Sequence, residues 1–169
     1  MTIMNPLKKD QDIVVQIAKD FKDIDISLPK LRKLVRTICK RFKLSEATIS
    51  IAIVGDSQIR KLNRRYLNRD STTDCLSFEL SDDDERCPKL FELVVNAEKA
   101  IKEANLRGHS QEDELALYIT HSLLHNLGFD DSQRAKAEKM RQTEDEILKQ
   151  LGFGLVYNRN NRQSRADSR

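Results

Sequence analysis

Leu115-Ala-Leu-Tyr-Ile-Thr-His-Ser-Leu-Leu-His-Asn-Leu127 is apolar on nearly every side, and its reading decides the fold. It contains neither Gly nor Pro and is too long for a strand, so it is a helix. A surface helix keeps one polar face. This one has none, so it belongs inside a domain, packed centrally. Upstream, Ser110 and Asp113 form a capping-box-like start. Downstream, Gly128 stops the helix as a left-handed cap. Two histidines stand in the apolar run. His121 and His125 are four positions apart and therefore point to one side.

An imidazole in an apolar helix needs a partner. One divalent ion satisfies both rings at once. Gly128 turns the chain so that Asp130 or Asp131 can fold back toward that ion. Two imidazoles and a carboxylate make a workable catalytic zinc set with a place left for water. The ion would bring the pKa of that water toward ~7 and polarise a phosphoryl or carbonyl oxygen. The same residues also have ordinary uses. The histidines can be core side chains bonded to backbone carbonyls or to Ser122. Asp131 or Asp130 stands where the next helix needs an N-cap. No Glu follows His121, so the HExxH pattern of zinc peptidases is absent. His109 falls outside the spacing and reads as a surface loop residue.

Working outward, Gln11 to Ile17 is β-branched and reads as a first strand. Ser27 and Pro29 open a helix whose buried stripe is Leu31, Leu34, Val35, Ile38 and Phe42. Thr48 to Val54 is a second strand. Asp56 caps a short helix with Ile59, Leu62 and Tyr66 inward. Asp74 to Leu80 and Leu90 to Val95 are strands flanking an acidic loop from Ser81 to Arg86. Asn96 caps a helix that ends near Leu106 before Gly108. After Asp131 a last amphipathic helix turns Ala137, Met140, Ile147 and Leu151 inward. The order is β-α-β-α-β-β-α-α-α. Two early β-α-β passages favour parallel pairing, and the adjacent third and fourth strands favour an antiparallel pair. The expected class is α+β: a small mixed four-stranded sheet with about five helices. The domain covers residues 1–152, and 153–169 read as a basic, disordered tail.

The chain of 169 residues is 34% charged and 38% hydrophobic, enough for a core without disulfides or a structural metal. No apolar run approaches the ~20 residues of a membrane span. The N-terminus lacks the apolar segment of a secretion signal. Cys39, Cys75 and Cys87 show no CxxC spacing, which points to a reducing cytoplasm. The net charge of +3 is unevenly spread. Residues 28–70 hold 12 Lys/Arg and 3 acids, which suits a polyanionic partner on one face. Lys61, Arg64, Arg65 and Arg69 are the candidates for phosphate contact; a solvated helix face is their ordinary alternative. Such contacts give salt-sensitive affinity with little sequence reading. Aromatic residues are only 5%, so extensive base stacking is not expected.

His121 to Asp131 resembles the YbeY endoribonuclease signature HGxLHLxGYDH. The stretch Leu62-Asn63-Arg-Arg-Tyr66-Leu-Asn-Arg-Asp70-Ser-Thr-Thr73-Asp74-Cys-Leu76-Ser77-Phe78 resembles that family's LNxxYRxxDxPTDVLSFP. The resemblance covers about residues 10–152. It implies a single-strand-specific, zinc-dependent endoribonuclease acting on ribosomal RNA, notably at the 3′ end of small-subunit RNA, and in ribosome quality control. The metal ligands would be His121, His125 and Asp131, with a metal-bound water as the reacting group and Asp130 as a further catalytic candidate. Its partners would be single-stranded or ribosomal RNA and the ribosome or its proteins. Three positions depart from the pattern. Asp131 replaces the third histidine, giving a more anionic site and a less acidic water. Ser122 replaces a glycine. Leu67 replaces the arginine after the tyrosine, leaving Arg65 or Arg69 to take a phosphate. The alternative is a non-catalytic RNA- or ribosome-binding assembly factor of the same fold; a zinc hydrolase of peptides or small molecules is a third.

Overall fold

Alternation sets the sheet. In β2 (Ala47–Val54), Ala47, Ile49, Ile51 and Ile53 are buried on one face. The structure, a computed structural model, describes residues 13–84 and 86–154. Around β2 stand β1 (Ile13–Lys19), β3 (Cys75–Glu79) and β4 (Lys89–Asn96). The helices are α1 (Leu28–Arg41), α2 (Asp56–Leu67), α3 (Ala97–Arg107), α4 (Gln111–Asn126) and α5 (Arg134–Gln150). The element order and the mixed four-stranded α+β architecture agree with the sequence reading. Residues 11 and 12 of the first strand lie outside the described residues.

The strand order is β1-β2-β4-β3, with β1, β2 and β4 parallel and β3 antiparallel to β4. The second β-α-β passage therefore does not make a parallel pair. β4 is apolar on both faces, with Phe91, Leu93 and Val95 on one and Val94 on the other, all buried. That pattern suits an inner strand, so β4 takes the place beside β2 and leaves the shorter β3 at the edge.

Helices cover the two faces unequally. α1 and α4 join Ile49, Ile51, Phe91 and Leu93 in the main core. α2 covers part of the other face, where Ile59 meets Val54, Leu76 and Val94. α4 touches α1, α3, α5, β3 and β4. Its residues Glu114 to Thr120 and Ser122 to Leu124 are all buried.

Caps follow the sequence at three helices. The side chains of Ser27, Asn96 and Ser110 accept from the backbone N–H groups of Lys30, Lys99 and Asp113. Two readings are corrected. Asp56 does not cap α2: Gly55 holds the cap position, and the Glu98 carboxylate from α3 accepts from the Asp56 N–H. Tyr66 does not face inward. It is 56% exposed, with its ring against Phe78 of β3, and Asn63 is buried instead. Asn63 Nδ2 donates to the Ser71 carbonyl, which satisfies its amide. Phe153 belongs to the packed unit: it is buried, with Lys30 Nζ 4.2 Å above its ring. Of the predicted tail, residues 155–169 lie outside the described residues. No helix of the described residues is long and apolar enough to cross a membrane.

Because Leu115 is fully buried under the sheet, Leu115→Ala should cost about 3 kcal/mol in urea unfolding. Leu106→Ala, at an 81% exposed position, should stay within about 0.5 kcal/mol.

Candidate metal centre

His121 and His125 lie in the last two turns of α4, and each ring is fixed through its Nδ1. His121 Nδ1 is 2.6 Å from Glu144 Oε1 on α5. His125 Nδ1 is 3.1 Å from the Phe129 carbonyl oxygen. A carbonyl and a carboxylate only accept, so both Nδ1 atoms carry the proton and both rings present an Nε2 lone pair. The two Nε2 atoms are 3.1 Å apart. Asp131 Oδ2 lies 3.8 Å from one and 3.6 Å from the other.

Three lone pairs thus converge on one point, and only a cation placed between them reconciles them. In the metal-free protein a shared proton can do so. The pKa of His121 is accordingly raised: burial opposes the charged ring, but the hydrogen bond and charge of Glu144 and the charges of Asp74 and Asp131 outweigh it. A divalent ion suits the same point. At tetrahedral angles and Zn–N or Zn–O lengths of ~2.0–2.1 Å, donor atoms sit about 3.3 Å apart. The observed triangle fits with small adjustments. Among the described residues His121, His125 and Asp131 are the donor set of this kind. The side chains are 27%, 32% and 50% exposed, so a fourth position faces solvent.

Gly128 makes the return possible. Its φ is +93°, and the Phe129 N–H donates back to the Leu124 carbonyl. That turn brings the Phe129 carbonyl to His125 and carries the chain on to Asp131. Of the ordinary roles, the His125 bond to a backbone carbonyl is present; Ser122 Oγ instead donates to the Tyr118 carbonyl, and Gln133, not either aspartate, holds the cap position of α5.

Known proteins bear on this arrangement. The family model described as endoribonuclease YbeY matches residues 16–152. This chain belongs to the YbeY family. The endoribonuclease YbeY of Caldicellulosiruptor bescii is 36% identical over 83% of this chain and 98% of its own. That of Finegoldia magna is 34% identical over 83% and 95%. A solution structure of a Thermotoga maritima protein has a TM-score of 0.53 at 21% identity, covering 81% of this chain and 91% of that one. It supports the fold.

Within this YbeY member, Asp130 is set apart from the donor triangle. It accepts from the backbone N–H and hydroxyl of Ser132 and from Lys136 Nζ, which hold its carboxyl down at about 2. Its visible work is to order the turn. Lys61, Arg64, Arg65 and Arg69 are exposed on α2 and just beyond it. None of them lines the cavity of about 330 Å³ beside His121. The cations there are Lys99 and Arg107 of α3, with Asp74, Glu103, Glu114 and Tyr118. Cys75 offers no thiolate: burial, and then the charge of Asp74, push its pKa up to about 12. His109 is not a free surface residue. Its Nε2 meets the buried Glu114 carboxylate.

The sequence reading missed Glu144. It is fully buried, and it fixes the ring that must present its lone pair. The signal was available, since Glu144 follows Met140 by four and precedes Ile147 by three, on the apolar stripe of α5. Carboxylates behind a ligating imidazole hold the tautomer and raise its basicity. Glu144→Gln, which keeps the shape but loses the charge, should weaken Zn2+ binding about 10- to 100-fold by chelator competition. An unchanged affinity would show that the carboxylate serves packing alone.

Proposed function

We propose that this protein is a metal-dependent, single-strand-specific endoribonuclease. It acts in the cytoplasm on ribosomal RNA, at the 3′ end of small-subunit RNA, and in ribosome quality control. His121, His125 and Asp131 hold one divalent ion, Zn2+ by the chemistry of the donors. The observation that carries this reading is the convergence of two Nε2 lone pairs and a carboxylate oxygen in a family named for endoribonuclease activity. The free thiols of Cys39, Cys75 and Cys87 fit a reducing compartment.

A bound ion supplies Lewis acidity at a phosphoryl oxygen and a water that ionises near neutral pH. The residues of this chain do the rest. Glu144 and the Phe129 carbonyl hold both rings in the tautomer that presents Nε2. Asp131 balances part of the ion's charge. The partly exposed side of the donor triangle leaves room for an RNA strand to approach. Lys61, Arg64 and Arg65 on α2 and Arg69 just beyond it offer phosphate contacts, removed from the cavity beside the reacting group.

One observation favours a second reading. Residue 67, arginine in the family pattern, is a half-exposed leucine here. A non-catalytic factor that binds RNA or the ribosome would tolerate that change. His125→Ala separates the two. On the endoribonuclease reading it removes at least about 10³-fold of the cleavage of a single-stranded oligoribonucleotide, as loss of an essential catalytic group does, while RNA binding stays. Chelation should abolish wild-type cleavage and Zn2+ restore it. If the Zn2+-loaded wild type binds RNA but never cuts it, the binding factor is the better description.

A further inference from the structure

The cavity beside His121 has a cation that the ligand set does not use. We propose that Lys99 binds a non-bridging phosphate oxygen of the RNA strand at the candidate metal centre, an inference that rests on RNA being the substrate.

The cavity wall is mixed in charge. Asp74, Glu103 and Glu114 line it alongside His121, and carboxylates repel a polyanion unless they are answered. Two of them are. Arg107 pairs with Glu103 at 2.9 Å and with Glu114 at 3.6 Å, and His109 also meets Glu114. Arg107 is thereby committed, with a side chain only 17% exposed. Lys99 is different. It is half-buried, it lines the same cavity, and among the described residues it makes no ion pair.

Its backbone is also fixed. The Lys99 N–H donates to Asn96 Oδ1 at 3.1 Å, and Asn96 is fully buried. Asn96 Nδ2 in turn donates to Asp56 Oδ1 and to the Thr73 carbonyl, while the Asn96 N–H donates to the Asp74 carbonyl. One buried asparagine therefore ties the start of α3, which carries Lys99, to Thr73 and Asp74 just before β3.

Helix stability does not explain a lysine there. Lys99 lies in the first turn of α3, where a cation opposes the macrodipole. The same placement adds the positive end of the helix to the ammonium, which favours an anion at that mouth. Leu67 presents no charge, and the arginines of α2 do not line the cavity. Among the described residues Lys99 is the cation on that cavity wall that makes no ion pair; its charge also acts on Asp56, which pairs with Lys102.

The test uses Zn2+-loaded wild type, Lys99→Ala, Lys99→Arg and Lys149→Ala. Kd is read by anisotropy on a fluorescein-labelled, 2′-O-methyl single strand, checked for integrity on a gel, from about 50 to 200 mM KCl. Lys99→Ala should raise Kd roughly 5- to 10-fold and lower the slope of log Kd against log salt by about 0.7, one phosphate contact on a single strand. Lys99→Arg should stay within about twofold on the same scale. An unchanged slope in Lys99→Ala, or an equal fall in Lys149→Ala, overturns the assignment. Cleavage of unmodified RNA is followed in parallel. A wild type that binds with the predicted Lys99 dependence but does not cut removes the nuclease reading and leaves Lys99 in place. A wild type that cuts while Lys99→Ala binds unchanged does the reverse.

Discussion

Two hydrogen bonds at the far nitrogens of His121 and His125 govern the site. Glu144 and the Phe129 carbonyl each take an Nδ1 proton, and each thereby turns an Nε2 lone pair toward the other ring. Without those acceptors the rings could rotate or exchange tautomers and hydrogen-bond to each other. With them, the two lone pairs and Asp131 Oδ2 converge where a cation could be held. The C-terminal end of α4 adds its own partial negative charge at the same place, which favours a positive ion there.

The burial of α4 is what makes this geometry rigid. Its side chains are enclosed by the sheet and three helices, so the histidines at its end inherit a fixed direction. α5 must then dock with Glu144 inward, although burying a carboxylate is costly unless it is paired. The pairing with His121 offsets that cost, so site and core are coupled. The turn at Gly128 completes the coupling, since it supplies both the Phe129 carbonyl and the path to Asp131.

Local patterns made much of this legible. The helical spacing of His121 and His125, the all-round apolarity of α4 and the caps at Ser27, Asn96 and Ser110 depend on near neighbours in the chain. The parts that were not legible depend on distant partners. Glu144 is 23 residues from the ring it fixes. The insertion of β4 between β2 and β3 is decided by which strand buries both faces. Tyr66 sits at helical spacing from Ile59, but its ring meets Phe78 of the edge strand β3, 5.5 Å between centroids, and stays exposed. Lys99 carries no pattern at all: only the folded arrangement sets it on the same cavity as His121.

X-ray absorption at the zinc edge of the Zn2+-loaded protein tests the convergence of donors most directly. The predicted first shell is two imidazole nitrogens with oxygen at ~2.0–2.1 Å and no sulfur at ~2.3 Å. A sulfur shell, or a single imidazole, would contradict a centre built from His121, His125 and Asp131.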